Sequence, residues 1–146
     1  MGYERWKDTM SKLGFYFDAE SCIACHTCQV ACKDVNGLPV GTNYREVRSF
    51  CTGEGWTPRI FNISLSAKGC NLCTELRELG DEPACVTSCP MRALEFGDIE
   101  ELRSKHAGEP LETGCPAIPN EEMCNKNFIM RVKDCMMTED FDEYVV

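Results

Sequence analysis

The stretch Cys22-Ile-Ala-Cys-His-Thr-Cys-Gln-Val-Ala-Cys32 places four cysteines within eleven residues. A second group follows much later in the chain and consists of Cys70, Cys73, Cys85 and Cys89, with Pro90 directly after it. Two-residue gaps let an irregular loop wrap successive sulfurs around one small group, and the three-residue gap before Cys32 corresponds to one helical turn. The chain therefore carries eight thiols in two groups, as expected of metal ligands.

The spacing of the first group is typical of bacterial ferredoxins, in which the fourth cysteine of the run binds the other cluster. This crossing predicts that Cys89 completes the first ligand set and that Cys32 completes the second. The first 4Fe-4S cluster is then bound by Cys22, Cys25, Cys28 and Cys89. The second is bound by Cys70, Cys73, Cys85 and Cys32. A protein with these ligands transfers single electrons, and no other residue pattern in it points to catalysis.

Other uses of cysteine fit the spacing less well. A structural zinc site uses two pairs separated by a loop, and four cysteines within eleven residues would crowd one tetrahedral ion. A disulfide scaffold is disfavoured because Cys-x2-Cys-x2-Cys pairs poorly within itself and no secretory signal is visible. The radical-enzyme spacing Cys-x3-Cys-x2-Cys is absent. Two iron–sulfur clusters remain the favoured interpretation.

Four cysteines lie outside both groups: Cys51, Cys115, Cys124 and Cys135. We interpret them as buried or free thiols. A disulfide among them requires export to an oxidising compartment. We do not expect a third cluster, because their spacing matches no compact cluster loop.

Three further polar residues lie near the predicted centre or at a helix end. We interpret His26 and His106 as non-ligands, with His106 compensating charge at the end of a helix. Lys33 follows the last cysteine of the first group, where a cation would raise the potential of the neighbouring cluster.

Charge and composition restrict the kinds of partner and the cellular location that we expect for this chain. The net charge of −9 argues against nucleic acid, since phosphate binding needs clustered Lys and Arg. No run approaches the roughly 18 apolar residues of a membrane helix, so we expect no direct membrane insertion. The amino end is polar and lacks an apolar signal core. These features favour a cytoplasmic protein, or one exported together with a signal-bearing partner.

Hydrophobic periodicity and turn residues predict an α+β fold in a single domain, 1–146. Strands are expected at 15–18, 44–51, 57–66, 94–96 and 128–133, and helices at 27–35, 71–79, 85–93 and 99–106. Residues 13–108 then form a bacterial 2×(4Fe-4S) ferredoxin-like module with an inserted β-hairpin at 44–66. Residues 109–146 form a C-terminal extension that we expect to pack on a partner, with an acidic tail over 138–145.

Two stretches resemble the iron–sulfur subunit of the dimethyl sulfoxide reductase family of molybdopterin oxidoreductases. One is Cys22-Ile-Ala-Cys-His-Thr-Cys-Gln-Val-Ala-Cys-Lys33. The other is Cys85-Val-Thr-Ser-Cys-Pro-Met-Arg-Ala-Leu-Glu-Phe-Gly97, together with the amphipathic segment 98–103 that follows it. The family typically has four cysteine motifs, and this chain resembles its first and fourth. Only Ala67-Lys68-Gly69 stand where the other two would lie.

The resemblance implies a subunit that does not catalyse a reaction on its own. Its two 4Fe-4S clusters relay single electrons to or from a large molybdopterin-binding catalytic subunit. In the family the retained module is the one nearest that subunit, and the missing module faces a membrane anchor. The shortened chain therefore suggests a soluble electron donor or acceptor. The alternatives are a free-standing diffusible ferredoxin serving soluble redox enzymes, and an iron–sulfur sensor.

Overall fold

The computed structural model describes residues 13–52, 59–66, 70–113, 127–137 and 141–144. The strands are β1 (Leu13–Asp18), β2 (Arg45–Thr52), β3 (Arg59–Ser66), β4 (Leu94–Asp98), β5 (Leu111–Glu112), β6 (Asn127–Arg131) and β7 (Phe141–Tyr144). The helices are α1 (Thr27–Asn36), α2 (Thr74–Glu78), α3 (Ala84–Ser88) and α4 (Ile99–Lys105), followed by a 3₁₀ helix (Asp134–Met137). This mixture of strands and short helices is an α+β fold.

The first sheet has the strand order β4-β1-β6-β5. Strand β1 pairs antiparallel with β4 and parallel with β6, so that Phe15 lies between Phe96 and Phe128. Residues 13–17 are all buried, because the strand is covered on both faces. One face contributes Phe15 and Phe17 to the main core, while the opposite face packs Tyr16 with residues of α4.

The second sheet is a β-hairpin with one added strand, in the order β3-β2-β7. Strands β2 and β3 pair in register over eight positions, with Phe50 opposite Phe61. Side chains from both sheets share one core, which also contains Cys28 and Cys85. The hairpin therefore packs directly beside the cysteine groups.

Part of the predicted acidic tail is a strand instead. Strand β7 pairs antiparallel with β2. The Phe141 ring packs edge-on against Phe50 at a centroid distance of 5.8 Å, and Glu143 forms a 2.7 Å ion pair with Arg48. Because Phe141 and Glu143 are two residues apart, they lie on the same face of β7 and meet Phe50 and Arg48, which share one face of β2. The pairing covers the edge of β2.

The described part of the extension packs on this chain. Ile129 and Met130 of β6 and Met136 of the 3₁₀ helix are completely buried. Packing of residues 109–146 on a partner stays a prediction. Residues 114–126, which include Cys115 and Cys124, lie outside the described part of the chain.

Local backbone chemistry shortens two helices relative to the sequence prediction. Helix α2 begins at Thr74 rather than at residue 71, because Leu72 and Cys73 adopt left-handed backbone angles that no right-handed helix contains. Helix α3 ends at Ser88 because Cys89 precedes Pro90 and is extended, as residues before proline usually are.

The other two helices begin or end as their terminal residues predict. Helix α1 ends at Gly37, whose φ of 59° is left-handed. Helix α4 begins at Asp98, whose side chain accepts hydrogen bonds from the backbone N–H groups of Glu100 and Glu101. Among the described helices, none has the length and apolar character needed to cross a membrane.

Candidate metal centre

The first predicted ligand set lines one cavity. Cys22, Cys25 and Cys28 come from the loop before α1 and its first turn, and Cys89 comes from the segment after α3. The wall of this cavity is completed by apolar residues such as Phe17 and Leu94. The structure thus brings a cysteine of the second group to three cysteines of the first.

In the second predicted set, a cysteine of the first group lies beside cysteines of the second group. Cys32 lies on α1 four residues after Cys28, so both sulfurs leave the same side of the helix at different heights. Burial, together with the nearby thiols of Cys85, Cys73 and Cys70, raises the pKa of Cys32 to about 11. Cys32 therefore lies among the cysteines of the second group, while ligation by either set stays a prediction.

The backbone before each helix is unusual for residues with side chains. Ala24 and His26 in the first loop, and Leu72 and Cys73 in the second, have φ between 50° and 63°. Each such residue costs about 1–3 kcal/mol and persists only where its surroundings demand it. Left-handed residues next to right-handed ones turn backbone N–H groups into a concave nest, which is a common feature of iron–sulfur sites.

Hydrogen-bond donors lie close to several of the sulfurs. The Thr27 hydroxyl donates to the Cys25 sulfur at 3.2 Å, and its side chain and backbone N–H lower the pKa of that thiol. The other sulfur contacts are Ala93 N to Cys89 at 3.3 Å, Asn36 Nδ2 to Cys32 at 3.6 Å, and Ser64 Oγ with Cys28 at 3.3 Å. Donors of this kind stabilise negative charge on sulfur.

Burial works in the opposite direction on the more enclosed thiols. It raises the pKa of Cys22, Cys28 and Cys73. A coordinated metal ion keeps a thiol deprotonated, so the positive charge of iron would remove this penalty. No three His, Cys, Asp or Glu side chains in the described ranges are arranged to hold a single metal ion.

The hairpin forms one wall of the centre. Asn62 of β3 donates from Nδ2 to the carbonyl oxygen of Cys22 at 3.3 Å. The backbone N–H of Val47 in β2 donates to Gln29 Oε1 on α1 at 3.1 Å. The hairpin that the sequence predicted as an insertion in the module thus contacts both the first cysteine loop and the helix that follows it.

Two buried arginines beside the cysteines were missed by sequence reasoning. Arg45 in β2 is 2% exposed and Arg77 in α2 is 0% exposed. Arg77 Nε donates to the Leu72 carbonyl at 2.7 Å, and its positive charge lowers the pKa of Cys73 against the raising effect of burial. For Arg45 a signal existed, because it shares the inward-facing alternation of Val47 and Ser49, and a charge on a buried face requires partners.

The lysine that the sequence singled out beside the first group binds backbone carbonyls, and its effect on a cluster potential stays a prediction. Lys33 donates from Nζ to the carbonyl oxygens of Pro39 and Thr42, at 3.1 and 2.9 Å. Those bonds secure the loop after α1.

The histidines lie in different surroundings. His26 lines the first cavity at the start of α1. His106 follows α4, stacks on the Tyr16 ring at 3.6 Å and contacts the carboxylates of Glu95 and Glu109.

Two of the four remaining cysteines are in the described part of the chain. Cys51 is half-buried in β2, and Cys135 is buried in the 3₁₀ helix. Within the described ranges, neither of them forms a disulfide.

Comparison with known proteins gives modest but extended similarity. No protein-family model matches the chain. The B subunit of the anaerobic dimethyl sulfoxide reductase of Haemophilus influenzae is 24% identical, with 84% of this chain and 90% of that protein covered. The corresponding subunit of Escherichia coli is 25% identical over 66% of this chain and 78% of its own length.

A formate dehydrogenase iron–sulfur subunit of Wolinella succinogenes is 33% identical over 84 residues, which cover 58% of this chain and 36% of that subunit. These similarities confirm the resemblance predicted from the cysteine motifs. The chain is a homologue of the dimethyl sulfoxide reductase B subunit and of formate dehydrogenase iron–sulfur subunits.

Proposed function

We propose that this chain is an electron-transfer subunit with two 4Fe-4S clusters. The first is held by Cys22, Cys25, Cys28 and Cys89, and the second by Cys70, Cys73, Cys85 and Cys32. The observation that supports this most is the exchange of Cys32 and Cys89 between the two groups. The same exchange is characteristic of two-cluster ferredoxins.

The chemistry of the donors fits the proposed groups. Eight thiols stand in two sets of four, and each loop carries left-handed residues that can direct backbone N–H groups inward. The clusters supply one-electron chemistry, in which each reduction adds one electron and breaks no bond. The protein's own residues hold the sulfurs, place donors beside them and bury four of the eight cysteines away from water.

The partner is proposed from the relatives. They are named as subunits of a dimethyl sulfoxide reductase and of a formate dehydrogenase. We therefore propose a large molybdopterin-binding catalytic subunit as the partner, with this chain performing no catalysis alone. Part of the extension, in β6 and the 3₁₀ helix, is buried against this chain itself.

The chain is proposed to be a shortened form of its relatives. The alignment with the Haemophilus influenzae protein spans 187 positions, but this chain has only 146 residues and 84% of them are aligned. The alignment therefore contains long gaps in this chain. Loss of a second cluster module between β3 and Cys70 accounts for such gaps, and it favours a soluble electron donor or acceptor.

Anaerobic purification with iron and sulfide analysis tests the cluster content. We expect about eight iron and about eight acid-labile sulfide atoms per chain, with the paramagnetic signals of two reduced 4Fe-4S clusters. About four iron atoms would contradict the two-cluster assignment, and about twelve would indicate a third cluster.

The same preparation tests the partner. Co-elution with a large molybdopterin-containing protein is the expected result. Recovery of a fully loaded, lone monomer from its native cells would favour the diffusible ferredoxin. A membrane anchor that reduces this chain directly would contradict the proposed soluble donor or acceptor.

A further inference from the structure

Arg45 lies at the start of the hairpin in an enclosed position. Its guanidinium donates from Nη1 to the Ser64 hydroxyl at 3.0 Å and to the Ser64 carbonyl at 3.2 Å. Nη2 donates to the Ser66 hydroxyl at 3.1 Å, and the group lies 4.6 Å above the Phe15 ring. These contacts hold the cation in one place within the core.

The same cation faces both cysteine sets. On the side of the first set, the Ser64 hydroxyl that accepts from Arg45 lies 3.3 Å from the Cys28 sulfur. On the side of the second set, the Arg45 charge lies near enough to the Cys85 and Cys70 sulfurs to act on both electrostatically.

A purely structural role explains this position less well. Strands β2 and β3 are already paired along eight residues, so the hairpin does not need a cation to join them. Taking a guanidinium out of water is costly unless negative charge lies close to it. In the described core, the nearby source of negative charge is the two cysteine sets.

We propose that Arg45 is a positioning residue that sets the reduction potentials of both clusters together. The inference rests on the proposed function, since it requires both sets to hold clusters. Each one-electron reduction adds one negative charge to a set, and a fixed cation next to a set stabilises that added charge in proportion to its proximity and to the exclusion of water. One buried charge shared by two sets raises both potentials.

Arg77 offers a matched control. It is also buried and also stacks on an aromatic ring, with its guanidinium 5.6 Å from the centre of Phe96. Its charge acts on Cys73 of the second set. Removal of this charge should therefore change one potential, whereas removal of the Arg45 charge should change two.

The experiment is a redox titration, followed by electron paramagnetic resonance, of the anaerobically purified wild type and of Arg45→Gln, Arg45→Lys and Arg77→Gln. Iron content is measured first in each. In Arg45→Gln we expect both potentials to become more negative, with the iron content unchanged. In Arg77→Gln we expect only one of them to do so, and Arg45→Lys should lie between wild type and Arg45→Gln.

Two unchanged potentials in a fully loaded Arg45→Gln would overturn the proposal, as would a change in only one of them. If Arg45→Gln loses iron, Arg45→Met decides, because methionine is also neutral but keeps an unbranched apolar side chain in the core. Two wild-type potentials in a fully loaded Arg45→Met would refute the role. Loss of iron from both neutral variants would assign Arg45 a structural role and would also overturn the proposal. Absence of two 4Fe-4S signals in the wild type would instead contradict the proposed function.

Discussion

The exchange of Cys32 and Cys89 makes a quantitative prediction about paired substitutions. In the structure, Cys32 lies with Cys70, Cys73 and Cys85, although it is only four residues from Cys28 of the other set. Cys32→Ser should therefore damage the second cluster and leave the first intact. Since each complete cluster holds four irons, total loss of the second lowers the iron content from about eight to about four atoms per chain.

Double substitutions separate this arrangement from an uncrossed one. Cys32→Ser combined with Cys70→Ser affects one set twice, so the iron content should stay near four atoms per chain. Cys32→Ser combined with Cys25→Ser affects both sets, so the iron content should fall close to zero. Effects of residues that act in one unit are not additive, whereas effects on separate units are.

The assay is anaerobic iron analysis with paramagnetic resonance of the reduced protein. Cys135→Ser is the control for handling losses, because this buried thiol belongs to neither proposed set. The reasoning is refuted if the Cys32/Cys25 pair retains about four irons while the Cys32/Cys70 pair retains none, because that result places the whole first motif on one cluster.

Two further predictions concern stability. The Ile129 side chain is completely buried, so Ile129→Ala should lower the free energy of unfolding by about 2–5 kcal/mol in denaturant titrations of the loaded protein. The Val40 side chain is fully exposed, so the control Val40→Ala should change that free energy by less than about 0.5 kcal/mol. For His106, burial lowers the pKa but hydrogen bonds to Glu95 and Glu109 outweigh it, so the folded-state pKa is raised. The contribution of protonated His106 to the free energy of unfolding is fully present below the unfolded-state pKa of about 6.5, and it is lost as the pH rises through the folded-state pKa. His106→Gln should reduce that pH dependence, and an unchanged dependence would contradict it.

Much of the local structure could be predicted because its causes are local. Helix α1 ends at Gly37 and α4 begins at Asp98, as their terminal residues predict. The alternation of the hairpin strands also predicted their pairing. Where the sequence overestimated a helix, as before Thr74, the backbone angles of the cysteine loop overrode helical periodicity.

The candidate site was less predictable wherever residues distant in sequence meet. Strand β7 looked like a charged tail because its partner, β2, lies about ninety residues earlier and is found only in the folded chain. Lys33 was the obvious cation by its position next to Cys32, yet its ammonium group binds loop carbonyls. Proximity in sequence did not identify the charge beside the sulfurs.

The sequence by itself determined which atoms are available as ligands. Eight cysteines at fixed short spacings define two loops, since a few residues of backbone span only a small group. The tertiary structure alone decided that the hairpin packs on the first of those loops and that the Arg45 guanidinium lies near cysteines of both sets. The physical reason is that the surroundings of a buried charge depend on long-range packing, which local spacing does not contain.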